Sequence, residues 1–382
     1  MTARSTKSAG STGSTGSADS ANSAYSAKTD YRGLSWLKLI AALLVVANHT
    51  GPLALFGPKA DFLADNALTR IAVPIFFMTS GFFYFRKLTG DPLADRRRLG
   101  RYIGSIAKLY AIAILLYLPL NLYNGYFTSS PGALSLLRDL AFDGTFYHLW
   151  YLPALMIGIS ILHGLYRVLN TASVMAIAFA LFAVGLLGDS YYGFITNSDV
   201  LTGWYKGMFH AFDYTRNGLF FAPIYLALGA LVARRPQTAS RPVVNAVLFA
   251  ISLSAMLAEA SWLHDGLIPR HDSMYVFAVP AAYFLFLLAL PYKGPAKRGL
   301  REARAWIYVL HPLAIVLVRG AAKAAGLQPW LIGNSLIHFA AVCLFSIAMA
   351  AAVVRLPALK ASQPVVWRGT RKKTIREDHR SS

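Results

Sequence analysis

Residues 36–49 read Trp-Leu-Lys-Leu-Ile-Ala-Ala-Leu-Leu-Val-Val-Ala-Asn-His. Apart from Lys38 and the closing Asn48-His49, the run is apolar. With its flanks it fills 35–56, long enough to cross a bilayer at about 1.5 Å per residue. An ionisable side chain inside hydrocarbon costs kilocalories, so a lysine and a histidine kept there are functional candidates. Lys38 precedes His49 by close to three helical turns, which puts both on one face about 16 Å apart. The cation then sits near one membrane surface and the imidazole further across. The alternative for Lys38 is that it snorkels to the interface.

Nine further stretches repeat the pattern: 70–86, 103–123, 148–167, 172–188, 215–233, 243–262, 273–292, 304–322 and 333–355. The expected fold is all-α, a polytopic membrane helical bundle of about ten transmembrane helices. The spans at 148–167 and 172–188 are separated by so short a link that they should form a helical hairpin. Composition agrees: of the 382 residues 56% are hydrophobic and 14% charged, where soluble domains carry roughly 25% charge. Mean hydropathy is +0.46. No room is left for a separate soluble domain, and no nucleotide-binding P-loop is present.

The charge is lopsided, with 37 Lys and Arg against 17 Asp and Glu, a formal +20. The basic residues gather in alternate loops. Segment 86–101 holds Arg86, Lys87, Arg96, Arg97, Arg98 and Arg101; 234–241 holds Arg234, Arg235 and Arg241; 293–304 holds Lys293, Lys297, Arg298, Arg301 and Arg304. The intervening loops hold a single basic residue or none. By the positive-inside rule both chain ends are cytoplasmic, N-in and C-in, in the inner (plasma) membrane of the cell. Residues 1–32 form a Ser/Thr/Gly-rich tail expected to be disordered; 33–355 form the transmembrane domain; 356–382 form a basic tail suited to anionic lipid heads rather than to nucleic acid. The first apolar run is long enough to span and follows a polar leader, which argues against a cleaved signal peptide. The lone cysteine, Cys343, permits no disulfide within the chain and no zinc cluster; no metal is expected.

Other costly polar residues cluster toward the outer ends of the spans. They are Arg70, His148, the group Asp213, Arg216 and Asn217, the group Arg270-His271-Asp272-Ser273, and His311-Pro312. If they converge, they line one polar cavity reached from outside. Plainer readings stand beside this one. Tyr147, Trp150 and Tyr151 form an interfacial aromatic belt, His148 is a satisfied interfacial histidine, and His311-Pro312 is a kink.

Three stretches in order resemble the acyltransferase 3 family of membrane proteins. The opening helix with Lys38 and His49 is similar to that family's basic residue, ten others, then histidine. Arg70-Ile-Ala-Val-Pro74-Ile-Phe76-Phe77-Met-Thr-Ser80-Gly81-Phe82 is similar to its arginine, proline, paired phenylalanines and Ser-Gly signature. His148-Leu-Trp150-Tyr151 resembles its His-Leu-Trp-Phe/Tyr segment. The resemblance covers roughly 33–355. Lys38 stands where the family usually has arginine, and Ser35 where an acidic residue often precedes it; lysine lacks arginine's bidentate fork. Thr215-Arg216-Asn217-Gly218-Leu219-Phe220-Phe221, Arg270-His271-Asp272-Ser273-Met274 and Ile307-Tyr308-Val-Leu-His311-Pro312 resemble the membrane portion of vancomycin-resistance serine racemases. In those a pyridoxal-phosphate racemase domain follows; this sequence stops at Ser382, so neither racemase activity nor that cofactor is expected.

The resemblance implies an O-acyltransferase of the cell envelope. Acyl-CoA is the donor substrate on the cytoplasmic side, an acetyl group the expected cargo, and a hydroxyl, expected on a glycan outside, the acceptor. No cofactor is bound. Lys38 and Arg101 would meet donor phosphates. His49 would be the general base, with Arg70 and His148 beside it in the catalytic set. Arg70, Arg216 or Arg270 would orient the acceptor or stabilise the oxyanion, and Trp150, Asn217, Asp272 and His311 would contact substrate. His49 lacks a downstream His-x-x-x-x-Asp partner, so another helix must orient it. Two alternatives stay open. One is a transporter of a small serine-like amino acid, with Arg216 or Arg270 on the carboxylate and Asp213 or Asp272 on the amine. The other is a membrane partner of a separate enzyme. No internal repeat of the transporter kind is visible, which favours the enzyme.

Overall fold

The computed structural model describes residues 31–128, 132–234, 241–267, 269–293 and 298–356. Nearly all of the leader 1–32 and the tail 356–382 lie outside them. The described residues form helices and turns, with no strand among them. The principal helices are α1 (Arg32–Asn48), α2 (Ala72–Phe85), α3 (Pro92–Tyr123), α4 (Tyr151–Val168), α5 (Thr171–Leu187), α6 (Asp199–Met208), α7 (Ala222–Arg234), α8 (Pro242–Gly266), α9 (Ala278–Ala289), α10 (Arg298–Ala324) and α11 (Ser335–Arg355).

Among the described residues six helices are long and apolar enough to cross a membrane; they lie within Pro58–Phe85, Pro92–Tyr123, Tyr151–Val168, Pro242–Gly266, Ala303–Ala324 and Ser335–Arg355. Helices α5, α7 and α9 are apolar but shorter. The expected hairpin is present as α4 and α5, separated by Leu169 and Asn170, where Asn170 Oδ1 caps α5 by accepting from Ser173 N at 2.9 Å.

Several expected spans are shortened at one end. The run 35–56 supplies helix only to Asn48: His49 leaves helical geometry, Gly51 takes a positive φ of 58°, and Pro52 follows. Likewise 215–233 becomes helix from Ala222 and 273–292 from Ala278. Ahead of α2 the chain passes through a π turn at Leu63–Ala67 and a tight turn at Leu68–Ile71 before regular helix begins. Such insertions recur where a helix is re-aimed at a functional site.

Helices α2 and α7 form the centre, and almost all of their side chains are buried. They run the same way: Phe77 meets Phe221 with ring centroids 6.0 Å apart, and Gly81 faces Leu226. A Cβ at Gly81 would fall 2.2 Å from Leu226 O, and one at Gly229 would fall 2.1 Å from Met78 O. Backbone thus lies on backbone, the arrangement small residues permit between membrane helices. Helices α1, α4, α5 and α9 pack around this pair, α10 lies against α1 and α11, and α8 against α9. Helices α3, α8 and α11 turn large apolar side chains outward, among them Leu115, Ile251 and Leu344.

Helix α10 carries Pro312 in its interior, which removes one backbone donor. Two side chains repair the ladder. Tyr117 of α3 donates its hydroxyl to Val309 O at 2.6 Å and accepts from Leu313 N at 3.3 Å. The carbonyl that Pro312 cannot serve, Tyr308 O, accepts from His311 Nδ1–H at 2.7 Å.

Enlarging Gly229 to leucine must force α2 and α7 apart. Gly229→Leu is expected to destabilise the purified protein by about 2 kcal/mol or more and to lower its melting temperature in detergent. Gly164→Ala, where an added Cβ meets nothing within 4 Å, should leave the melting temperature unchanged. Equal melting of both variants would refute the close contact.

Candidate active site

The shortened ends all lie at the same end of the bundle and enclose a cavity of about 280 Å³. Its lining comes from the end of α1 (Val45, Asn48, His49), the turn before α2 (Thr69, Arg70), the segment before α4 (Tyr147, His148, Trp150), the segments before α7 and α9 (Arg216, Phe221, Ser273), and Tyr308 of α10. Five of the expected catalytic and binding residues are therefore brought together, His49, Arg70, His148, Trp150 and Arg216, and Tyr147 and Ser273, also singled out from sequence, line the same cavity.

Three imidazoles meet beside this cavity. The His49 ring is stacked on His311, with centroids 5.3 Å apart and planes 18° from parallel, and lies 4.7 Å from the Tyr147 ring. His148 meets His311 edge to face at 5.2 Å. His311 is fully buried behind the lining. Its Nδ1–H is committed to Tyr308 O, so Nε2 carries the lone pair, and Nε2 has no protein partner. The kink and the polar role of His311-Pro312 are thus one feature: proline frees the carbonyl that fixes the tautomer. His148 is also buried, with neither ring nitrogen partnered, while its backbone carbonyl accepts from the Tyr308 hydroxyl.

The two arginines are held by their surroundings. Arg70 Nη2 donates to Asn66 Oδ1 at 2.7 Å, within the π turn, and Tyr275 pins the same residue by donating to Asn66 O at 2.8 Å. Arg216 packs against the Trp150 and Tyr214 rings at 5.3 and 4.3 Å, so Trp150 is more than an interfacial belt residue. Neither arginine forms an ion pair among the described residues.

Five sequence candidates stand elsewhere. Asn217 spends its carboxamide on its own turn, accepting from Leu219 N and Phe220 N at 2.9 and 3.1 Å and donating to Tyr214 O at 2.9 Å. It sets the start of α7 instead of facing the cavity. Arg270 lies 3.4 Å over the Phe209 ring, and Asp272 faces His264 at 3.7 Å; neither lines the cavity. Lys38 sits at the opposite end of α1, buried under Phe83 with its Nζ 4.8 Å from the ring centroid. It does not snorkel to a surface. Arg304, also buried, donates to Ser35 O at 2.8 Å in the same region. Asp213 belongs to a separate network in which Arg138 contacts Asp139, Asp143 and Asp213 at 3.1–3.5 Å. Among the described residues no group of three His, Cys, Asp or Glu side chains is arranged to hold a metal ion.

Two buried carboxylates at this end of the bundle escaped the sequence reading. Asp189 accepts from Ser273 N at 2.9 Å, Ser273 Oγ at 2.5 Å, Met274 N at 3.0 Å and Ser190 Oγ at 2.9 Å, and so fixes the segment that puts Ser273 on the cavity wall. Burial raises its carboxyl above the usual range, against those hydrogen bonds and the Arg216 charge. Glu259 accepts from Tyr191 OH and Val276 N, each at 2.6 Å, and from Phe277 N at 2.9 Å, which caps the start of α9. A carboxylate within the apolar run 243–262 was the available signal.

Residues 31–355 match the acyltransferase domain of acyltransferase 3. The chain belongs to the acyltransferase 3 family. It is also 37% identical over 329 residues to an amino-acid racemase of Enterococcus faecalis, covering 85% of this chain and 45% of that protein. A serine/alanine racemase of Enterococcus gallinarum is 35% identical over 323 residues, 83% of this chain and 45% of the relative. The chain thus spans less than half the length of these relatives. No solved structure matches it. Family and apolar helices together make this acyltransferase 3 member a multi-pass membrane protein.

Behind the cavity, burial and the charges of Arg216, Arg270 and Arg70 push the His271 imidazole down from 6.5 to about 4. The unfolded chain takes up this proton near pH 6.5, whereas the folded chain resists until about 4. Stability is therefore lost as pH falls through that window. His271→Gln is expected to flatten the fall in melting temperature over that range relative to wild type. Parallel curves for the two proteins would contradict the positive surroundings assigned to His271.

Proposed function

We propose that the protein is a membrane O-acyltransferase that moves an acyl group, acetyl being the first to test, from acyl-CoA to a hydroxyl of a cell-envelope carbohydrate or similar acceptor. The reading takes the ten helices α1–α5 and α7–α11 as crossing the inner (plasma) membrane, N-in and C-in; the basic loops that alternate with sparsely charged ones support it. The cavity then opens outward, and the Lys38 end of α1 faces the cytoplasm.

The observation that carries the chemistry is the meeting of His49 with His148 and His311 beside a cavity that also holds Arg70 and Arg216. The acceptor hydroxyl gives its proton to His49 as its oxygen attacks the thioester carbonyl. The new C–O bond forms, the C–S bond breaks, and the proton ends on the departing thiolate. Arg70 and Arg216 are the nearest cationic donors for the carbonyl oxygen as it gains charge. Stacking on His311 supports this role: the ring of α10, itself tied to the backbone, would be the partner from another helix that orients His49. Donor phosphates would meet the basic loops at the cytoplasmic end of the bundle, about 16 Å along α1 from His49; Lys38 itself lies buried beneath that surface.

One observation favours a second reading. The relatives are named as amino-acid racemases, one of them for serine and alanine, and the cavity is small and cationic. Passage of a small amino acid, with no covalent step, fits both facts.

Wild type and His49→Ala in liposomes, with labelled acetyl-CoA on the cytoplasmic side and envelope extract as acceptor, separate the readings. Transfer of label by wild type, reduced about 10²–10⁴-fold in the variant, is the expected result. Saturable uptake of labelled serine without any transfer would replace the enzyme with the transporter.

A further inference from the structure

The walls of the cavity are unequal in charge. Arg70 and Arg216 both line it, whereas none of its lining residues is Asp or Glu. The two guanidiniums lie within each other's repulsive field, and Nε of each is buried without a hydrogen-bond partner. The nearest acids, Asp65, Asp189 and Asp272, act on them only from beyond ion-pair distance. Asp189 is engaged by Ser190, Ser273 and Met274, Asp272 faces His264, and neither comes within ion-pair distance of Arg70 or Arg216. The aromatic rings against Arg216 cover guanidinium surface and leave in-plane N–H donors for a ligand.

Backbone electrostatics point the same way. Helices α2, α4, α7 and α9 all begin at this end of the bundle, so the positive ends of four helix dipoles are directed to one region. Beside the cations, His148 is buried with both ring nitrogens unpartnered. A neutral imidazole has one donor and one acceptor, and a hydroxyl group can satisfy either. Buried polar atoms are ordinarily paired; here two Nε–H groups and three imidazole nitrogens, counting His311 Nε2, lack partners around one small cavity.

We infer that the cavity binds a small hydroxylated anion, its anionic group held between Arg70 and Arg216 and its hydroxyl directed to His148 and His49. The inference rests on the proposed function only in taking that hydroxyl as the acceptor. It narrows the acceptor class: an uncharged sugar brings no charge into contact with the two guanidiniums, whereas a hydroxy-carboxylate or a phosphorylated polyol does. At about 280 Å³ the cavity takes a compact molecule or the anionic end of a larger one.

Binding can be measured without any acyl donor. Titration calorimetry and melting temperature are followed on the detergent-purified full chain with three probes of similar size: glycerate, glycerol 3-phosphate and glycerol. At least one anion is expected to bind at millimolar concentration and raise the melting temperature, while glycerol does neither. The tighter of the two anions tells whether the site is built for carboxylate or phosphate. Arg70→Gln and Arg216→Gln should each weaken binding about tenfold or more. Arg216→Lys, which keeps the charge and loses the fork, should weaken it less, and it serves if a glutamine variant does not fold. Lys59→Gln, which removes an exposed cation paired with Asp265, should bind as wild type. The inference is overturned if glycerol matches the anions, if neither anion binds, or if both glutamine variants bind undiminished. Anion binding without acyl transfer would sink the proposed chemistry and leave this inference standing; transfer to neutral sugars without anion binding would do the reverse.

Discussion

Two helices touching backbone to backbone decide where the charges go. With no side chain at Gly81 or Gly229, α2 and α7 approach until carbonyl groups of one meet Cα atoms of the other. Because these helices are parallel, their beginnings are drawn together as well. Arg70 precedes one and Arg216 the other, so the contact that closes the core also sets two cations side by side. Like charges in an apolar bundle are costly unless something answers them. The surroundings answer in part, with Asn66 on one guanidinium and aromatic rings on the other. What remains unanswered faces the cavity.

The helical bundle was legible in the sequence because hydrocarbon length and loop charge are crude, additive properties. Each of the ten apolar stretches overlaps one of the helices α1–α5 and α7–α11, though only six helices among the described residues are long and apolar enough to cross a membrane. What the sequence obscured was where the helices stop. The run 35–56 is apolar well past Asn48, yet Gly51 and Pro52 turn the chain, and 215–233 gives up its first turns to the loop that Asn217 caps. Hydropathy counts residues and does not see such turns. The unwound ends are also where the site lies: His49, Arg216 and Ser273 stand just outside α1, α7 and α9. Protein and the cavity surround these unwound ends, the setting in which a membrane protein tolerates non-helical backbone.

The candidate residues divide for a similar reason. A search for costly polar groups recovers His49, Arg70, His148 and Arg216, but it cannot separate a side chain that faces a cavity from one that holds a loop. Asn217 and Arg270 passed the search and turned out to be spent on local structure. Asp189 and Glu259 do comparable work with full carboxylates, one holding Ser273 on the wall, the other capping α9. Both acids sit behind the lining, so the cavity surface itself keeps its positive sign.

His311 shows why the simpler alternatives were not true alternatives. A proline kink and a functional histidine were competing accounts of two adjacent residues. In the fold the missing N–H of Pro312 leaves Tyr308 O open, and His311 Nδ1 fills it. That bond determines which nitrogen carries hydrogen, leaves a lone pair on Nε2, and locks the ring on which His49 stacks. Tyr117 repairs the next break, between Val309 O and Leu313 N, so the distortion stays local. A histidine without the proline would compete with an intact helix for that carbonyl, and a proline without the histidine would bury the carbonyl unpaired. The orientation of the His49 ring therefore depends on a backbone donor that α10 lacks.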